Sequence, residues 1–198
     1  DLHPVAHSFP HDALPISNLQ ARVGISGFEG SVEPGGTFGS HSDYWTPIKS
    51  FADGRLSVDP ATRANIFRIW DNVPLVFAYQ MTGNAAYADK AIEYVKALDF
   101  SGVDRDNAVH VAFIYDLLIE YPGWAPADKS AFVNAMNTLL DDFDDNITLP
   151  ALSTYHEDLH FLANPAFISL AISGDSGADQ TNVDSVLDTI APQLPEMM

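Results

Sequence analysis

The residues best suited to chemistry in this chain are Tyr155 and the run His156-Glu157-Asp158-Leu159-His160. On a helix the run sets two imidazoles one turn apart on one face, the H-E-x-x-H pattern that holds zinc with a glutamate as general base. A third ligand is then required, and the only glutamate downstream is Glu196, close to the chain end. Thr154-Tyr155-His156-Glu157 also reads as a capping box, which accounts for Glu157 as a helix-start residue and for Asp158 as a first-turn charge. No metal and no cofactor is therefore expected. What remains is a Tyr-His pair at a helix start, with His160 one turn on. Such a pair suits the elimination of a glycosidic bond beside a uronate. One group removes the proton next to the carboxylate, and the other protonates the leaving oxygen. A nearby cation or amide neutralises the carboxylate so that the proton can be removed. The plain alternative is that His160 is a satisfied core histidine and Tyr155 a packing residue.

These groups need elements to hold them, and the elements repeat. Three long apolar stretches end at glycine turns, each followed by an Ala-Asp pair: Gly83 with Ala88-Asp89, Gly123 with Ala127-Asp128, and Gly174 with Ala178-Asp179. Beyond each pair, apolar residues recur at one-sided helical spacing, as in Ala91, Ile92, Val95 and Leu98. Each unit reads as an apolar inner helix, a tight turn and an amphipathic outer helix, and such hairpins must stack to bury their faces. The expected pairs are about 60–81 with 85–98, 104–120 with 126–143, and 154–172 with 178–190. The fold class is thus all-α, three stacked helical hairpins forming part of an incomplete (α/α) toroid over residues 57–198. Residues 18–56, rich in Gly and Ser, read as a loop-dominated lead-in, with Asp59-Pro60 as the cap and first turn of the first inner helix.

Equivalent positions in such repeats share a rim. Eighteen residues before each turn glycine stand Asn65, Arg105 and His156, all polar near the start of an inner helix. Arg68, Trp70, Asn72, Asn107, His110 and His160 are neighbours at the same end. Aromatic faces beside hydrogen-bonding groups are what a sugar cleft needs. Asn65, Arg68, Arg105, Asn107 and His160 are accordingly substrate-side candidates, and Trp70 a stacking platform. The competing reading places Trp70, Tyr79 and Tyr115 in the core.

Composition narrows the partners. Nine Lys and Arg against 27 Asp and Glu leave a formal charge of −18, so nucleic acid is not an expected partner. An anionic substrate is repelled at long range unless the few cations cluster at one site. The longest apolar runs fall short of the roughly 20 residues of a membrane helix, and no membrane association is expected. Cysteine is absent, which excludes disulfide and thiol chemistry. Residues 1–17 show neither helical nor strand periodicity, and HDALPIS within them is similar to translated sequencing-adapter read-through, so His3, His7 and His11 are set aside.

The phrases Ala78-Tyr79 with Thr82-Gly83-Asn84, Tyr115-Asp116-Leu117-Leu118, and Leu170 to Asp175 carry a family resemblance. Over about residues 60–190 the chain resembles the (α/α) toroid of heparinase II/III-like and alginate-lyase-like polysaccharide lyases. The resemblance implies β-elimination of a uronate-containing polysaccharide, a secreted or periplasmic protein, and a C-terminal β-sandwich that this chain lacks, as a fragment would. Family members carry an Asn-His pair at the start of the third inner helix. Here Tyr155 precedes His156, and Asn164 lies farther along. The expected roles are His156 as base or carboxylate partner and Tyr155 as acid/base. Two alternatives stand beside this: a glycoside hydrolase on the same scaffold using Asp71, Asp106 or Glu157, and a helical-repeat module that binds carbohydrate or protein without chemistry.

Overall fold

The computed structural model describes residues 41–103, 105–144 and 156–190, and among these the chain is all-α. The α-helices are α1 (His41–Arg55), α2 (Asn65–Thr82), α3 (Ala85–Lys96), α4 (Arg105–Leu118), α5 (Pro126–Asp144), α6 (His156–Ile172) and α7 (Gln180–Ile190). They fall into two compact units, one holding residues 41–98 and 120–123, the other 99–119 and 124–190.

In the first unit α2 and α3 form a hairpin and α1 packs on α2. Residues 41–55 are therefore helical, where a loop-rich lead-in was expected. Glycine becomes sparse after Gly39, and Trp45, Ile48 and Ala52 recur at helical spacing. Trp45 and Ala52 are buried, and the Trp45 ring meets Phe77 of α2 edge-on at 6.1 Å. Asp59-Pro60 also behaves differently from expectation. Asp59 Oδ1 accepts from Ala61 N at 2.9 Å, but the turn it caps is a single 3-10 turn, Pro60–Thr62. Arg63 and Ala64 are extended, and α2 starts afresh at Asn65. That break frees the Arg63 side chain to reach Asp71, 2.8 Å away.

The far end of the hairpin closes at Gly83, which takes a left-handed φ of 67° and donates its N–H to Tyr79 O. Asn84 then caps α3 through a bond from Ala86 N to its side chain. Between the two helices the buried Asn72 amide donates to Ala91 O at 3.1 Å. The turn glycines are not all alike. Gly123 has no positive φ; it is needed for space, since a Cβ there would stand 2.5 Å from the Tyr121 ring.

In the second unit two successive hairpins, α4/α5 and α6/α7, lie side by side. Their inner helices α4 and α6 make the broadest contact. Tyr115, near the end of α4, donates to Asp175 just past the end of α6 at 2.7 Å, so the two helices run in the same direction. Burial, and then the Asp175 carboxylate, push the Tyr115 phenol well above its ordinary pKa. The outer helices are tied at Asn137, whose side chain donates to Gly177 O at 2.8 Å and accepts from Asp179 N at 3.0 Å. The core between these layers is aromatic, with Tyr115 stacked on Phe132 at 5.1 Å and Trp124 edge-on to both.

Candidate functional site

The sequence candidates divide between the units. Arg105, Asn107, His156 and His160 belong to the α4/α6 pair. The two helices pack on one another, and His156 and His160 stand on the first two turns of α6. Tyr155 lies outside the described residues, as do the side chains of Arg105, Asp106, His156, Glu157 and His160. Asn107 is buried on α4, and Asn164 is buried on α6. His110, one turn beyond Asn107, has a buried Nδ1 with no hydrogen-bond partner, and the wholly buried Ser169 hydroxyl of α6 has none either. Leaving such atoms unsatisfied costs about 1–3 kcal/mol each. Polar groups thus concentrate on this pair, where packing alone would favour Leu or Ala.

Asn65, Arg68 and Trp70 lie on α2 in the first unit. Asn65 is its first residue. Arg68, expected on the substrate side, turns its guanidinium onto the chain's own backbone. Nε donates to Pro60 O at 3.0 Å, Nη1 to Ala97 O at 2.6 Å and Nη2 to Ala61 O at 3.4 Å. It thereby braces the 3-10 turn and the end of α3 against α2. Trp70, by contrast, is 51% exposed, so the stacking reading fits its placement better than the core reading. Asn72, read as a rim neighbour, is fully buried.

Beside Trp70 lies a cluster that sequence reasoning missed. Asp71 is buried, and each of its carboxylate oxygens faces an arginine: Oδ1 is 2.9 Å from Arg55 Nε, and Oδ2 is 2.8 Å from Arg63 Nε. The Arg63 contact is a well-aligned hydrogen bond. At Arg55 the N–H is turned off the line to the carboxylate, so that contact is ionic only. Arg55 lies over the Phe51 ring at 4.1 Å and Arg63 over the Phe67 ring at 4.9 Å. Phe67 in turn meets Trp70 edge-on at 6.1 Å. The sequence does carry a signal for this, since Phe51/Arg55 and Arg63/Phe67 are both spaced four apart in a chain with few cations. The arrangement also removes Asp71 as a hydrolytic carboxylate, because a buried group paired on both oxygens has no edge to offer a sugar.

No family model, curated protein or solved structure matches this chain. Among the described residues, no three His, Asp or Glu side chains converge as a metal site, and no helix is long and apolar enough to cross a membrane.

Proposed function

We propose that this protein acts on uronate-containing polysaccharides as a lyase, with its chemistry at the N-terminal end of the α4/α6 pair. What supports this reading is that His156 and His160 stand on the first two turns of α6, the helix that packs most broadly on α4, whose first turn carries Arg105 and Asn107. The family resemblance read from the sequence supports the same activity.

In the elimination, His156 or Tyr155 removes the proton on the carbon next to the uronate carboxylate. The electron pair left behind forms a double bond to the neighbouring ring carbon as its glycosidic C–O bond breaks. The other member of the pair gives a proton to the departing oxygen. An amide or guanidinium beside the carboxylate lowers the cost of the carbanion, and Asn107 and Arg105 on the start of α4 are the candidates for it.

The test is to incubate the protein with polymannuronate, polygalacturonate and a glucuronate polymer while recording ultraviolet absorbance of the unsaturated uronate. Absorbance is expected to rise on one of them, and His156→Ala should remove the rise. Release of reducing ends without absorbance would assign a hydrolase instead, and an unchanged rate in His156→Ala would take the chemistry away from this end of the helices.

A further inference from the structure

We propose that Arg55 and Arg63, with Phe51, Phe67 and Trp70, form a subsite in the first unit that holds a carboxylated sugar. The inference rests on the polyuronate reading above but names residues and a place that the chemistry does not use. Three of the nine cations in the chain, Arg55, Arg63 and Arg68, fall within fourteen residues, in a molecule whose net charge is −18. Arg68 is consumed by backbone carbonyls. The other two share one carboxylate, so the cluster carries a surplus positive charge where a single arginine would already have neutralised Asp71.

The guanidinium groups are placed to use that surplus. Each approaches Asp71 through Nε, one of five N–H donors in the planar fork, and their side chains remain 24% and 31% exposed. Asp71 accepts a hydrogen bond from the Arg63 fork and holds Arg55 by charge, while Phe51 and Phe67 support their faces, so little side-chain freedom is left to lose when an anion arrives. Phe51, Phe67 and Trp70 are three of the six large apolar side chains exposed among the described residues, and all three belong to this one cluster. Phe67 and Trp70 are in contact, and exposed aromatics grouped in this way mark a binding surface more often than chance placement.

The chemistry selects the ligand. A free phosphate or a densely sulfated polymer would use the forks and leave the aromatic faces idle. Nucleic acid is opposed by the overall charge. A pyranose bearing a carboxylate uses both, with the carboxylate bidentate on an arginine fork and the ring's C–H face on Trp70.

The experiment is affinity electrophoresis of the full chain through gels containing polymannuronate, dextran sulfate or neutral dextran. Retardation by polymannuronate alone is expected. Arg63→Gln and Trp70→Ala should each weaken it about tenfold, the size of one lost charged hydrogen bond or stacking contact. Lys90→Gln, which removes a positive charge from α3 outside the cluster, should leave it unchanged. Trp70→Ala changes a half-exposed side chain and keeps the test valid should Arg63→Gln unfold. Equal retardation by dextran sulfate, no retardation at all, wild-type affinity in both cluster variants, or an equal loss in Lys90→Gln would each overturn the subsite. Absorbance read on the same samples separates the two proposals. Binding with no elimination on any polymer removes the lyase and keeps the subsite; elimination with unaltered binding in both variants does the reverse.

Discussion

Among the described residues, three tyrosine hydroxyls donate to aspartates distant in sequence: Tyr87 to Asp53, Tyr115 to Asp175 and Tyr121 to Asp89. Each joins an otherwise apolar ring to a single polar anchor, so the ring is held in one orientation. At Tyr121 the bond to Asp89, helped by burial, raises the phenol from its ordinary 10.0 to about 12. A group whose folded pKa is raised stabilises fully below its unfolded pKa, and the contribution is lost as pH climbs through the folded value. Tyr121→Phe should therefore lower stability by about 1 kcal/mol at neutral pH in urea denaturation. The difference between variant and parent should vanish as pH rises from 10.0 to about 12; a difference that persists there would assign it to packing. Asp53 works in the opposite sense. Its bonds to Lys49 and then Tyr87 hold its carboxyl below the usual range, so its contribution disappears in acid. None of these partners was visible in the sequence. Local periodicity assigns a face to a side chain but no partner 32 residues away.

Helices and turns were easier to read, because their signals are local. The hairpin helices begin and end within a few residues of expectation, since apolar spacing, caps and turn glycines all lie within one or two turns of the feature they specify. Gly83 is the clearest such feature. Its φ of 67° suits glycine, and a Cβ there would meet nothing within 4 Å, so substitution costs conformation and not space. Gly83→Ala is expected to destabilise by about 1–2 kcal/mol, with a lower melting temperature and unchanged helix content by circular dichroism. Helix α1 was missed because the helical spacing of Trp45, Ile48 and Ala52 is too short a run to set it apart from the Gly-Ser stretch before it, and the partner that buries Trp45 and Ala52, α2, lies outside that local window. The arginine cluster was missed for the same reason. Arg55 and Arg63 become one site only through Asp71, sixteen and eight positions onward respectively.

Charge is the property of the whole molecule that bears most on binding. With 27 acidic residues against nine basic ones, the long-range field opposes a polyuronate, whereas the Arg55/Arg63 contact acts at a few ångströms. Salt screens the first more than the second, since the Debye length falls to about 8 Å at physiological ionic strength. Stopped-flow association with an oligomannuronate should therefore quicken as salt is raised from low to roughly physiological levels, and a monotonic slowing would contradict the charge model. Arg68 has a different consequence. Gly83 seals one end of the α2/α3 hairpin, and Arg68 fastens the other by gripping the carbonyl of Ala97, the residue that caps the end of α3. Fraying from a loose terminus is thereby suppressed. The amide protons of both helices are then expected to share one cooperative opening in hydrogen-exchange measurements, with this hairpin acting as a single foldon.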